Sequence, residues 1–142
     1  MNFTSFIATV LALSIFQLVV ESKIYKKCDL AKTLERNEIS RTFVSTWVCI
    51  AQAESNFDTS KKQSFPNLSS SFGILQINSK DWCREGRKGG RCNAKCEDFL
   101  NDDINDDIRC AKLIAMRDGF KAWKGFEKKC KAPNPLPDVS MC

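Results

Sequence analysis

The chain has 142 residues and no histidine, so acid–base chemistry here must run on other groups, carboxylates first among them. One carboxylate is oddly placed. In WVCIAQAESNF, residues 47–57, the positions Trp47, Ile50, Ala51 and Glu54 fall on one helical face at offsets of three, four and seven. Such a stripe normally faces a core, and this one ends in an acid. Burial beside apolar and aromatic groups and the negative end of the helix dipole both disfavour the ionised form. A carboxyl group so placed is suited to donate a proton, the part of a general acid. A glutamate that simply turns to water at the end of its helix fits the same pattern.

Other chemistries are poorly supplied. Without histidine there is no Ser–His or Cys–His nucleophilic pair. The eight cysteines, Cys28, Cys49, Cys83, Cys92, Cys96, Cys110, Cys130 and Cys142, include no CxxC pair, which argues against zinc. Hydrolysis, if present, must use carboxylates or another metal.

The elements that must position Glu54 begin after the amino terminus. Residues 3–20, FTSFIATVLALSIFQLVV, carry no charge and lead to Val20-Glu21-Ser22, with small residues at the minus-three and minus-one positions of a cut after Ser22. This reads as a signal peptide over residues 1–22, and hence as a secreted, extracellular protein. The segment is interrupted by Thr, Ser and Gln and lacks a basic stop, so no membrane span is expected. Residues 23–142 suffice for one modest domain. They hold 22 basic and 16 acidic side chains, a net +6, which draws a secreted protein towards anionic surfaces such as bacterial envelopes. An even cysteine count behind a signal peptide implies four disulfides, with connectivity left open by the count.

Within this domain, helices are expected over 26–36, 42–55 and 103–117, each with apolar residues at three- and four-residue steps. Residues 57–80 pass from polar, turn-rich sequence to FGILQINS and suggest a small β-hairpin region. DWCREGRKGGRCNAKC, residues 81–96, is a loop, and FKAWKGF a short helical turn. The tail, with three prolines, must be held by Cys142. The fold class is α+β, a mostly helical lobe with a small β lobe.

WVCIAQAESNF, SSFGILQINS with DWC, CAKLIAM and KAW resemble the C-type lysozyme and α-lactalbumin family, in order and across nearly all of residues 23–142. The resemblance implies disulfides Cys28–Cys142, Cys49–Cys130, Cys83–Cys96 and Cys92–Cys110. It implies a cleft between two lobes that takes β-1,4-linked aminosugar polymers such as bacterial cell-wall peptidoglycan. It puts Glu54 at the proton-donor position, Trp123 beside it as an aromatic wall, Gln76 and Asn78 on the cleft floor, and Trp82 at a stacking position. Aromatic faces and amides suit sugars, which offer apolar faces and many hydroxyls. Asp81 stands where an aromatic is common, so one stacking surface is expected to be missing.

A retaining glycosidase needs a second carboxylate roughly 5–5.5 Å from the first. By the resemblance this aspartate directly precedes an aromatic-Gly pair. Here the pair is Phe72-Gly73 and the preceding residue is Ser71, a neutral hydroxyl with no histidine to activate it. Asp58 and Asp81 lie in neighbouring loops but match neither position. Muramidase activity is therefore expected to be weak or absent, with saccharide or partner binding preferred. An active lysozyme serving antibacterial defence or digestion is the alternative.

The stretch DFLNDDINDDI also resembles the calcium loop of α-lactalbumin and of calcium-binding lysozymes. By position Asn101, Asp106 and Asp107 would give side-chain oxygens, and Asp98 and Asp103 backbone carbonyls. A plain acidic helix start explains the same charges. Asn101 replaces a usual aspartate and should weaken affinity. No cofactor is required for the chemistry, so calcium would be structural. Asn67-Leu68-Ser69 is a glycosylation sequon. The expected partner is an aminosugar polysaccharide or the bacterial cell wall, with no nucleic acid, and the expected state is a monomer.

Overall fold

A computed structural model describes residues 23–142; the expected signal peptide, residues 1–22, lies outside the described residues. Three α-helices form the larger lobe: α1 Lys27–Arg36, α2 Arg41–Ser55 and α3 Asn105–Asp118. Each starts or ends within two residues of its expected bounds. Helix α3 starts late because the Asp103 carboxylate accepts the Asn105 backbone N–H at 3.0 Å, satisfying a donor that the helix itself leaves free. Helix α2 stops right behind Glu54 because Asn56 takes the left-handed conformation (φ 53°), and its N–H returns to the carbonyls of Ala51 and Gln52.

The smaller lobe is one antiparallel sheet in the order β1-β2-β3, made of Lys62–Ser64, Ser70–Phe72 and Ile77–Asn78. The β-hairpin region read from the sequence thus carries a third short strand. Register sets Gln63 opposite Ser71 and Ser71 opposite Asn78. Strand β2 is buried throughout while β1 is exposed, so the sheet rests on the protein by its middle strand.

The core lies where α1, α2 and α3 converge, around Leu30, Leu34, Val48, Ile50, Ile108 and Ala111, all almost fully buried. It extends under the sheet through Phe72, Ile74 and Ile77. Burial of such side chains contributes about 1.5–3 kcal/mol each before the entropy of ordering is counted. The Ser55 hydroxyl, at the end of α2, lies 2.7 Å from the Ile74 carbonyl and stitches the two lobes together.

The disulfides follow the pairing implied by the resemblance: Cys28–Cys142, Cys49–Cys130, Cys83–Cys96 and Cys92–Cys110. The first two close separations of 114 and 81 residues, which in a chain-entropy account restrict the unfolded state most. Cys49–Cys130 also binds the turn Phe126–Cys130 to α2, and with it the strap that runs along the cleft.

Gly73, just after β2, has φ +76°, and a Cβ there would lie 2.1 Å from the Phe99 carbonyl oxygen and 2.6 Å from Asp107 Oδ1. A backbone oxygen cannot step aside, and the positive φ adds strain. Gly73→Ala should therefore lower unfolding stability by roughly 2–3 kcal/mol, read as a fall in urea midpoint at unchanged m-value.

Candidate active-site cleft

A cleft of about 550 Å³ runs between the lobes. Ala53 and Glu54 reach it from α2, Ser69, Ser71, Gln76 and Asn78 from the sheet and its turn, and Trp123, Lys124 and Gly125 from the strap before Cys130. The sequence-predicted residues Glu54, Ser71, Gln76, Asn78, Trp82 and Trp123 are all brought to this one cavity. Asn67 lies on its β-lobe rim. Asp58 and Asp81 are not among its lining, which leaves Glu54 as the single acid there among the described residues.

The apolar stripe of α2 explains how Glu54 gets there. Trp47, Ile50 and Ala51 are buried, so the helix is locked by its core face and presents Glu54, half-buried, at its last turn. Trp47 meets Trp123 edge-on at 5.2 Å, an arrangement favoured by the ring quadrupoles. The Trp123 indole N–H donates to the Leu75 carbonyl at 2.8 Å, fastening the strap to the β lobe. Two residues on, the Gly125 N–H donates to Glu54 Oε1 at 2.7 Å. This contact needs a glycine: a Cβ at 125 would lie 2.8 Å from that oxygen and 2.7 Å from the Ala53 Cβ. The Lys61 ammonium donates to the Glu54 backbone carbonyl.

Across the cleft, Ser71 sits at the centre of β2 and is only 6% exposed. Its hydroxyl accepts from Asn78 Nδ2 at 3.1 Å, and the same amide reaches the Ser69 hydroxyl at 3.3 Å. Asn78 thus uses its donor on two serines and its oxygen on the Lys80 N–H at 2.8 Å. Gln76 donates to the Lys61 and Gly73 carbonyls at 3.0 and 2.9 Å, while its buried Oε1 has no partner. Trp82 lines the cleft with only 8% of its surface free, and the Arg117 guanidinium stands 5.6 Å from its ring centre. Both tryptophans therefore serve the core and the cleft wall together.

Asn67 Oδ1 accepts the Ser69 N–H at 3.1 Å and the Ser69 hydroxyl at 2.7 Å. Asn67 itself is exposed on its turn.

The acidic loop before α3 has a distinct geometry. Asn101 Nδ2 donates to the Asp98 carbonyl at 2.8 Å and Asn101 Oδ1 accepts the Asp103 N–H at 2.9 Å. Asp106 Oδ1 accepts the Asp107 N–H at 3.1 Å. Asp107 is completely buried, and neither carboxylate oxygen has a hydrogen-bond partner. Burial raises its pKa well above the ordinary carboxylate range, and the charge of Asp106 adds to the rise. Asp106 itself is raised by burial. Among the described residues no cluster of three or more acid, histidine or cysteine side chains gathers around a single point. An orphaned buried carboxylate beside a second one nevertheless has the chemistry that calcium takes, hard oxygens supplemented by carbonyls. Asn101 would have to turn its carboxamide over to join them, because an NH2 group cannot ligate.

Sequence reasoning missed the lysines of the cleft. Lys61, Lys124, Lys128 and Lys129 all line it, and KAWKGFEKKC, with basic residues three and four apart, carried the signal.

A helical lobe and a three-stranded lobe, closed by four disulfides around a cleft with one carboxylate, define a lysozyme-like fold. The chain belongs to the C-type lysozyme/alpha-lactalbumin family, whose sequence profile matches residues 23–142. It is 44% identical over 124 residues to lysozyme c-1 of Anopheles gambiae, covering 87% of this chain and 88% of that protein. It is 40% identical over 136 residues to a lysozyme of Bombyx mori, covering 92% and 98%. Among solved structures it resembles apo-type canine milk lysozyme, with a TM-score of 0.72, 38% identity, and 83% and 94% coverage.

The raised pKa of Asp107 fixes the sign of a pH effect. A carboxyl group that holds its proton more tightly when folded favours the fold below its unfolded pKa, near 4, and that contribution is lost as pH rises through the folded value. In chelator, Asp107→Asn should therefore melt close to wild type in acid and a few degrees above it at neutral pH. Paired thermal scans across pH measure the difference.

Proposed function

We propose that this chain is a secreted saccharide-binding member of its family whose hydrolysis of peptidoglycan is weak or absent. One observation carries the reading. The cleft presents Glu54 on one wall and the neutral Ser71 hydroxyl, engaged by Asn78, on the other, with no second carboxylate in its lining. Cleaving a glycosidic bond through an oxocarbenium-like state calls for negative charge under the sugar ring as well as a proton for the leaving oxygen. Glu54 supplies the proton: its carboxyl is aimed by the Gly125 N–H, and the sugar oxygen leaving the anomeric carbon would take it. Ser71 offers no charge to the cation left behind, and the four lysines add charge of the wrong sign. Loss of one such electrostatic contact costs about 10²–10³ in rate.

Trp82 and Trp123 stand at the wall to receive an aminosugar chain, whose apolar ring faces match aromatic surface, while Gln76 and Asn78, held by hydrogen bonds of their own, shape the floor beneath it. A glycan on Asn67 would stand at the β-lobe rim and narrow access for long polymers. The leader expected over residues 1–22 takes the protein out of the cell, in keeping with four disulfides, and N-terminal sequencing of secreted protein should read Lys23 first.

The decisive experiment is cell-wall clearing by purified wild type, Glu54→Gln and Ser71→Asp. The expected outcome is clearing by wild type about 10²–10³ below that of Ser71→Asp, with Glu54→Gln inactive. Brisk wild-type clearing, lost in Glu54→Gln, would establish instead an active lysozyme, a reading that the retained Glu54 and the lysozyme relatives both favour.

Calcium, held by Asp106, Asp107, Asn101 and the carbonyls of Asp98 and Asp103, would neutralise the buried charge of Asp107 and tie the start of α3 to the loop. Its role would be structural. Millimolar calcium in place of chelator should raise the melting temperature of wild type and leave that of Asp107→Asn unmoved; equal scans for wild type with and without the ion would remove calcium from the account.

A further inference from the structure

The cleft is strongly basic, and its lysines stand outside the ion pairs seen among the described residues. Lys61, Lys124, Lys128 and Lys129 line it against the single carboxylate of Glu54. Among the described residues no ion pair engages any of the four: Lys62 pairs with Glu85 and Lys131 with Glu127, and the Lys61 ammonium goes to a backbone carbonyl. Lys124, Lys128 and Lys129 are exposed on the strap, beside the wall that Trp123 forms. Lys61 and Lys129 also line an adjoining depression of about 560 Å³ that runs on towards Pro135 and Pro137, so the basic lining continues past the cleft itself. Like charges held along one groove repel one another and raise its potential, and walls of low dielectric focus that field on whatever enters.

A groove built for neutral sugars has no use for this arrangement, and one built to stabilise a cationic sugar is opposed by it. It suits a chain whose sugars bring their own negative charge. Resting on the saccharide-cleft reading, we propose that the cleft takes an acidic aminosugar polymer, bearing carboxylate or sulfate groups, in preference to a neutral one. The aromatic surface of the cleft meets the sugar rings, while the ammonium groups of Lys124, Lys128 and Lys129 meet the anions that project from them. Lys61, fixed beside Glu54, extends the positive field to the cleft floor. Exposed lysine contacts are individually weak, so selectivity comes from several acting together and fades as salt screens them.

The test measures binding of three hexasaccharides by calorimetry at low and high salt. One is a neutral β-1,4 N-acetylglucosamine oligomer, one alternates N-acetylglucosamine with glucuronate, and one is sulfated. At low salt the acidic chains should bind at least about tenfold more tightly than the neutral one, and the preference should collapse in about 0.5 M salt. Which acidic chain binds better tells carboxylate from sulfate. In Lys124→Gln/Lys128→Gln the ratio of acidic to neutral affinity should fall several-fold and its salt dependence should flatten, with an unchanged circular dichroism spectrum as the control that the fold is intact. Equal affinity for all three chains would overturn this inference and leave the saccharide reading standing, as would a preference untouched by the double substitution. Binding of none would overturn both.

Discussion

The indole of Trp123 joins the two walls of the cleft. It packs edge-to-face with Trp47 on α2, its N–H is spent on the Leu75 carbonyl in the β lobe, and two residues later the Gly125 N–H donates to Glu54 Oε1. A helix, a sheet and a strap are thereby held in one geometry. The Cys49–Cys130 disulfide fastens the far end of the strap to the same helix. Buried hydrogen bonds of this kind contribute modestly in net terms but are expensive to leave unmade, which is what makes the arrangement specific. The shape of the cleft follows from it: Glu54 can only face Ser71 while the strap stays where Trp123 holds it.

The cleft shows a separation between structure and chemistry that a fold name conceals. The cavity is built by the disulfide frame, the locked helix, the glycine at 125 that admits the strap, and Asn78 hydrogen-bonded to Ser71. The charge within it is a separate matter. One wall carries a neutral serine, and the strap and floor carry four lysines that form no ion pair among the described residues. A change of charge in a solvent-open cleft leaves the core untouched, so the same scaffold can carry different chemistry.

Asp107 shows the opposite case, a charge that the fold does feel. Its carboxylate is buried beside Gly73, with no hydrogen-bond partner for either oxygen among the described residues. Such a group must hold a proton or meet a cation, since burying it ionised and alone is costly. The loop before α3 is therefore where stability and solution conditions meet in this protein.

The sequence by itself determined the elements and the cleft's main residues. Helical spacing in α1, α2 and α3 was legible because an amphipathic helix repeats its apolar residues locally, and the resemblance put Glu54, Ser71, Gln76, Asn78, Trp82 and Trp123 in one cleft. The disulfide pairing could be read only by resemblance, because a cysteine count holds no information on which loops meet. Other features waited on tertiary structure. Trp82 and Trp123 are as much core as wall, which periodicity cannot tell, since burial depends on what a distant segment lays over them. The Gly125–Glu54 contact joins residues 71 apart and is encoded by no local pattern. The lysines of KAWKGFEKKC look like an ordinary solvated run until the strap folds back and turns them, with Lys61 from the other lobe, into the lining of a single groove. Local order is written in near neighbours along the chain, whereas the electrostatic character of a site is a sum over neighbours in space.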